Sequence, residues 1–399
     1  MFISKNYKKI ILKKKPKPHI NWYGEPNLGS SYNSNEINEL KKTLIRSSNF
    51  FIGLRSDSDE NIVFEKKFKE MCNSKFALTV SNNGIAFYMI LKSLNLKKND
   101  EIIIPSLNFK AWHMALLDLG VKIVECDVDL NTYNLSLLDL ENKITKKTIA
   151  ICPVHLTGLS CDIDGIEKIA GKFKNYRKSK IKVIYDSARA TGFNYKNKNL
   201  GDKGYANIFS FQSGKLITSG GEGGMVTTNN KKLYEKLKSL RNYGNEYDWG
   251  LNLKLSKIQA KFGEIQLKRV KKNIQLRRKI ALRRNDIFKE FSTKVFLPND
   301  TIYSKNSYYL YPILLNENFK RSHRDEIVRN LAEKYKIYCS TLKFVNKRWP
   351  YIKKKISVPN LPNTNFIADN CFCPIIHQEL NKNQEMFLCS VIYDELNKL

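Results

Sequence analysis

Short apolar runs alternate with stretches of helical periodicity along most of this chain. The runs at 76–80, 101–104, 122–126, 149–154, 182–186, 207–211 and 225–228 have the hydrophobicity of buried strands. Between them, 85–94, 112–119 and 163–173 place apolar residues three and four apart, and each is long enough to cross back over a parallel sheet. This alternation predicts an α/β/α sandwich whose sheet is buried on both faces. The stretch 256–288 reads as one long helix, with Ile258, Phe262, Ile265, Leu267, Val270 and Ile274 at helical spacing, leading out of the first domain. Beyond it, 308–314 reads as a strand and 322–335 as a helix, the makings of a small α+β domain. The first 35 residues show little periodicity. The organisation expected is a basic tail over 1–35, a large α/β domain over 36–265 and a small C-terminal domain over 266–399.

Composition narrows the classes. A chain of 399 residues with 42% hydrophobic and 11% aromatic side chains can fill one large core and a second smaller one, which excludes disorder as the default. No apolar stretch reaches the roughly 18 residues that a membrane helix needs, and lysines interrupt the first apolar patch before a signal-peptide core can form. A cytoplasmic protein that does not enter the membrane is expected. The eight cysteines are scattered, and the closest pair, Cys371 and Cys373, lacks the spacing of a zinc knuckle. They read as small buried apolar residues, and the five histidines are too dispersed for a metal centre.

The formal net charge of +31 would attract polyanions through its long-range field. Its lysines and arginines are spread over nearly the whole length, with local clusters at Lys13-Lys14-Lys15 plus Lys17 and over 268–284. No zinc-finger, helix-turn-helix or RNA-recognition signature accompanies them, so nucleic acid is not the expected partner. A phosphorylated or nucleotide-linked substrate remains compatible with this charge.

The chemistry concentrates at two strand ends. The run 182–186 finishes in Asp186, followed by Ser187-Ala188-Arg189. A carboxylate at the C-terminal end of a sheet strand sits where open α/β folds place ligands, although alone it equally caps the next helix. The following strand leads through Ser210-Phe211-Gln212-Ser213-Gly214 to Lys215, and then into the glycine-rich stretch 218–224. A loop lysine is ordinarily just solvated; beside Asp186 it gains meaning. Pyridoxal 5'-phosphate chemistry needs a lysine amine, a carboxylate for the ring nitrogen and donors for the phosphate. Val80-Ser81-Asn82-Asn83-Gly84 leads into a helix whose free amides can hold an anion, and Ser210 adds a hydroxyl.

Taken in order, the motifs resemble the DegT/DnrJ/EryC1/StrS family of pyridoxal-phosphate aminotransferases. They are 82–87, 99–106, 127–129, 153–158, 186–188, 209–215, 221–224, 241–244 and 250–252. The resemblance runs from about residue 36 to 284 and more faintly beyond. It implies an aminotransferase of fold type I, with a mixed, mostly parallel seven-stranded sheet and a small C-terminal α+β domain. It implies that Lys215 is the Schiff-base lysine and proton shuttle, that Asp186 pairs with the ring nitrogen, and that Phe109 stacks on the ring. Asn83, Gly84 and Ser210 match phosphate contacts. Asn252 matches a residue that reaches the neighbouring subunit's phosphate, which implies a homodimer with shared sites. The substrates implied are a nucleotide-linked keto-deoxysugar and a glutamate or glutamine donor.

Several positions depart from the family pattern. Asn99 stands for a glycine, Gly84 for a threonine, Lys254 for an arginine, and the loop 339–348 lacks a histidine-tyrosine signature. Arg189 stands for a glutamine or histidine near the cofactor's phenolic oxygen; two roles are open, pairing with that oxygen or swinging away from it. Two other readings stand beside the sugar aminotransferase. One is an aminotransferase on a keto-cyclitol or an amino-hydroxybenzoate synthase, which Phe211-Gln212 before Ser213-Gly214-Lys215 also fits. The other is an inactive, basic polyanion-binding relative, which the joint presence of Lys215 and Asp186 argues against.

Overall fold

A computed structural model describes residues 31–343, 349–357 and 359–399. The lysine cluster at 13–17 and the end of the 339–348 loop lie outside the described residues. The main sheet comprises β1 (Phe76–Val80), β2 (Glu101–Pro105), β3 (Lys122–Cys126), β4 (Thr148–Ile151), β5 (Lys182–Asp186), β6 (Ala206–Ser210) and β7 (Gly224–Thr228). These are the seven strands that the apolar runs predict, with ends shifted by at most three residues. Their order is β1-β7-β6-β5-β4-β2-β3. Only β7 runs against its neighbours; the other pairings are parallel.

Alternation along the strands supplies two apolar faces. Ile102, Ile104, Ile184 and Ile208 point to one side, beneath α3 (Asn83–Ser93), α4 (Lys110–Asp118) and α7 (Lys231–Arg241). Ile103, Val183 and Tyr185 point to the other, where α5 (Leu137–Lys143) and α6 (Ile163–Lys172) cover them. Two helices not singled out by periodicity, α1 (Ser34–Ser47) and α2 (Asp59–Cys72), precede the sheet, and α1 begins inside the stretch read as tail. Asn33 caps α1 by accepting the N–H of Asn35, and Glu36 returns a bond to the Asn33 N–H. Phe64 and Phe68 of α2 pack on Phe209 and Phe211.

The stretch 256–288 is two helices, α8 (Lys257–Leu267) and α9 (Val270–Phe288), rather than the single one expected. At the joint the hydrogen bonding tightens: Lys268 N–H bonds to the Ile265 carbonyl and Arg269 N–H to that of Gln266. Glu36 draws both sides of the joint toward α1, accepting Gln266 Nε2 at 2.8 Å and Arg269 Nε at 2.7 Å. Apolar periodicity continues through such a joint, so spacing alone does not reveal it.

A three-stranded antiparallel sheet follows, β8 (Val295–Phe296), β9 (Ile313–Leu315) and β10 (Cys371–Phe372). It shares a core with α9, α10 (Arg321–Tyr335) and α12 (Lys382–Asn397), built on Phe288, Leu331, Phe387 and Ile392; α11 (Pro362–Asn370) leads into β10. The strand expected over 308–314 is confined to β9. Upstream of it, Tyr308 takes a positive φ of 54°, and the buried Arg277 holds the carbonyls of Tyr308 and Tyr309 at 3.0 and 2.7 Å. Those carbonyls therefore serve an arginine instead of a neighbouring strand. Seven of the eight cysteines are buried and all are free thiols, in line with their reading as small apolar residues.

Within this second core, Arg284 forms a two-bond pair with Glu385, both at 2.7 Å, and both side chains are essentially without water. Removing one partner strands the other charge in the core. Arg284→Ala is expected to destabilise the protein by about 3–5 kcal/mol, read as a lower midpoint in urea unfolding.

Candidate active site

The single reversed strand organises one edge of the main sheet. Because β7 runs backward, its first residue, Gly224, pairs with the last residues of both β1 and β6, Val80 and Ser210. Asp186, the last residue of β5, pairs with Ile208 one strand further on. The C-terminal ends of three parallel strands thus meet at one edge, where such sheets bind ligands. A Cβ on Gly224 would lie 2.6 Å from the Asn82 backbone, so only glycine lets the loop after β1 close onto the sheet.

That loop begins α3. Asn82 caps the helix by accepting the Ile85 N–H at 2.9 Å, which places Asn83 and Gly84 in the first turn. The Nδ2 of Asn83 is buried and has no hydrogen-bond partner among the described residues. A buried donor at a helix N-terminus suits an anion. Ser210 is buried at the end of β6, and its Oγ accepts the Gln212 N–H at 3.4 Å. Asn83 and Gly84, just after β1, and Ser210, at the end of β6, thus flank the same residue of β7, Gly224.

Asp186 is 4% exposed. Trp112 Nε1 donates to its Oδ2 at 2.8 Å, and the Ala188 N–H donates to Oδ1 at 2.8 Å. Burial pushes its pKa up, opposed by the Ala188 N–H, Lys215, the Trp112 indole and Arg189. A buried carboxylate in this state gains from a protonated ring nitrogen brought against it, so the residues present fit pyridoxal phosphate at both of its charged ends. Trp112 was read from sequence only as a helix residue. Its signal is its place one turn after Phe109, on the helix that the strand β2 feeds.

Lys215 lies in a tight turn: its N–H bonds to the Gln212 carbonyl at 2.9 Å, and Gly214 N–H bonds to Gln212 Oε1 at 2.8 Å. Its Nζ stands 5.6 Å from the ring centroid of Tyr309, whose hydroxyl donates to the Gly214 carbonyl at 3.0 Å. The ammonium lowers the pKa values of both Asp186 and Glu222 against the opposing effect of their burial. Arg189 approaches the same Tyr309 ring at 5.2 Å and donates to the Leu156 carbonyl at 3.4 Å. Tyr309 is the other participant that the sequence reading missed, hidden in the tyrosine-rich run taken for a strand.

Phe109 precedes α4 and is 60% exposed. With Arg189, Leu156, Leu310, Ser340 and Trp349 it lines a cavity of about 190 Å³. Asn83, Gly84, Asp186, Ser210, Lys215, Arg189 and Phe109 are all carried on or beside this sheet edge. Asn252 differs: it is exposed, and it sits in an extended segment bridged to Asn242, next to Leu253, whose carbonyl takes the Ser81 N–H.

His155 supports the edge from beneath. Its Nδ1 accepts the Cys161 N–H at 2.9 Å, its ring stacks on Tyr185, and its backbone N–H bonds to the Asp186 carbonyl. Burial drives its pKa down to about 3, so the ring is neutral.

A family model described as the DegT/DnrJ/EryC1/StrS aminotransferase family matches residues 33–392. A GDP-perosamine synthase of Caulobacter vibrioides is 33% identical over 277 residues, 68% of this chain and 72% of that protein. A dTDP-3-amino-3,6-dideoxy-alpha-D-galactopyranose transaminase of Aneurinibacillus thermoaerophilus is 35% identical, over 62% of this chain and 66% of its own. Among solved structures, Helicobacter pylori PseC, an aminotransferase involved in the biosynthesis of pseudoaminic acid, superposes with a TM-score of 0.84 at 23% identity. That match covers 94% of this chain and 99% of that one, which shows a shared fold.

The neutral His155 makes stability depend on pH. An unfolded histidine near its ordinary 6.5 takes up a proton that the folded ring refuses until about 3. Its contribution is therefore present above about 6.5 and lost as pH falls from there toward 3. Urea midpoints measured across this window are expected to fall less steeply for His155→Gln than for the wild type.

Proposed function

The chain belongs to the DegT/DnrJ/EryC1/StrS aminotransferase family, and from that footing we propose that it transfers an amino group from glutamate or glutamine to the keto group of a nucleotide-linked keto-deoxysugar. It is an enzyme, a pyridoxal-phosphate-dependent transaminase. The observation that carries the reading is the convergence of Asp186, Lys215 and the α3 N-terminus on one sheet edge. The names of the relatives support a nucleotide-sugar acceptor: the synthase and the transaminase cited above, and a UDP-4-amino-4,6-dideoxy-N-acetyl-beta-L-altrosamine transaminase of Helicobacter pylori, 31% identical over 65% of this chain.

Pyridoxal phosphate, when bound, supplies a carbonyl carbon that exchanges amines and a ring that draws electrons from the neighbouring bond. Asn83, Gly84 and Ser210, with the free amides of α3, would hold its phosphate. Asp186 would keep a proton on the ring nitrogen, and the Trp112 indole and Ala188 amide fix the carboxylate for that task. Phe109 would cover the ring. Lys215 Nζ takes a proton from the donor's α-carbon and, in the return half, delivers one to the acceptor's carbon. The Gln212 turn and the Tyr309 ring aim its side chain.

A homodimer belongs to the same reading, with Asn252 reaching the partner subunit's phosphate. In support, Asn252 sits beside exposed Leu251, Trp249 and Tyr247, and Phe50 and Phe51 are 93% and 85% exposed, apolar side chains that a partner subunit would cover. Among the described residues no helix is long and apolar enough to cross a membrane.

Borohydride is expected to fix the cofactor covalently to the wild-type protein and not to Lys215→Ala, as read by mass spectrometry. Glutamate should convert the bound aldehyde form of the cofactor to its amine form, and Lys215→Ala should slow that conversion by at least about 10³-fold. Cofactor that stays unattached in the wild type would overturn the assignment of Lys215.

A further inference from the structure

The lysine cluster that begins at Lys268 takes no part in the site described above. Between Glu264 and Asp286 the chain carries no acidic residue, and its basic residues divide by type once α9 forms. Four arginines are engaged within the protein: Arg269 with Glu36, Arg277 with the Tyr308 and Tyr309 carbonyls, Arg278 with Asp300 and Arg284 with Glu385. Lys268, Lys271, Lys272 and Lys279 are instead exposed, and they form no ion pair among the described residues. At 3.6 residues per turn these lysines share one face with Gln275 and Leu282, within an arc of about 100°. Other exposed helices mix their charges. On α2, Glu65 and Glu70 interleave with Lys66, Lys67 and Lys69, and on α10, Asp325, Glu326 and Glu333 interleave with Arg321, Arg329 and Lys334.

The basic cluster of the N-terminal segment is attached at the same place. The Ser31 carbonyl accepts Gln266 Nε2 at 2.9 Å, and the Ser31 hydroxyl accepts Gln378 Nε2 at 3.4 Å. Gln266 lies at the joint between α8 and α9, where the lysine face starts. The segment before residue 31 therefore joins the fold beside Lys268, Lys271 and Lys272. In its sequence Lys13-Lys14-Lys15 and Lys17 directly follow Ile10-Ile11-Leu12.

A helix of 19 residues offers a straight row about 28 Å long, which suits a plane of anionic headgroups. Leu282, 46% exposed within that row, and the apolar Ile10-Ile11-Leu12 beside the lysines suit the boundary between headgroups and acyl chains. Nucleic-acid phosphates are gripped best by arginine forks, and four of the arginines here are committed to the protein. We propose that the lysine face of α9, together with the basic N-terminal segment, docks this enzyme reversibly on a membrane surface rich in acidic phospholipids. Asn273 and Arg277 project from the opposite side of α9, where they hold the Leu216 and Tyr309 carbonyls, so docking leaves the surroundings of Lys215 untouched.

Co-sedimentation of the full, cofactor-loaded chain with lipid vesicles tests the proposal. Vesicles of phosphatidylcholine with about one third phosphatidylglycerol are expected to bind it at least about tenfold more tightly than phosphatidylcholine alone, and about 0.5 M salt to release it. Lys268→Gln, Lys271→Gln, Lys272→Gln and Lys279→Gln combined should weaken binding to the anionic vesicles by at least about tenfold, since each lysine near such a surface contributes about fivefold. A control with the same net charge carries glutamine for Lys97, Lys98, Lys146 and Lys147, exposed in the loops before β2 and β4, and should lose no more than about threefold. Conversion of the cofactor by glutamate should be equal in all three proteins, which shows the fold intact and keeps docking separate from transamination. Absence of a preference for anionic vesicles, or an equal loss in the two variants, overturns the proposal. Tighter binding of polyuridylate RNA than of anionic vesicles, lost in the α9 variant, would assign the face to nucleic acid and overturn it as well.

Discussion

Asp186 holds a carboxylate in a place with almost no water, and the site is arranged around that constraint. Left alone, burial would favour its neutral form, and the indole N–H of Trp112 and the amide of Ala188 oppose this. The positive charge of Lys215 does so as well. Such a group stays poised for a protonated nitrogen brought against it. The fold makes that possible by running one strand backward, so that a glycine rather than a side chain separates the ends of β1 and β6.

Most of the sheet was legible in the sequence for a physical reason. Strands covered on both faces are apolar throughout, so 101–104 or 182–186 stand out against the helices between them. The carboxylate and lysine were legible because each follows a strand end at short distance. What periodicity could not show was decided by tertiary contacts. Glu36 draws two turns of helix out of line at 268–269, and Arg277 takes the carbonyls that would otherwise have joined Tyr308 and Tyr309 to a strand. Trp112 and Tyr309 escaped notice because their roles depend on which atoms face them.

The charge of the chain now separates into parts of different meaning. Much of it is spent in ordinary structural pairs: Arg284 with Glu385, Arg241 with Glu65, Arg278 with Asp300. Others, Lys110, Arg189 and Lys343, line the cavity beside Phe109. A net charge cancels the pairs and carries no positions for the cations left over, which is why composition pointed toward anions without locating them.

Tyr309 is placed by residues far apart along the chain. Its carbonyl is held by Arg277, the next amide bonds to the Thr157 carbonyl, and Gly158 exists as glycine because any Cβ there would lie 2.5 Å from the Tyr309 nitrogen. The floor under the reactive lysine is therefore a joint product of the 157–158 loop, the helix at 277 and the segment at 306–310. For protein engineering this sets a rule of inheritance: a hybrid of this enzyme with a relative must draw all three from the same parent, because a crossover placed between them would exchange sequence while dismantling the surface on which the lysine rests.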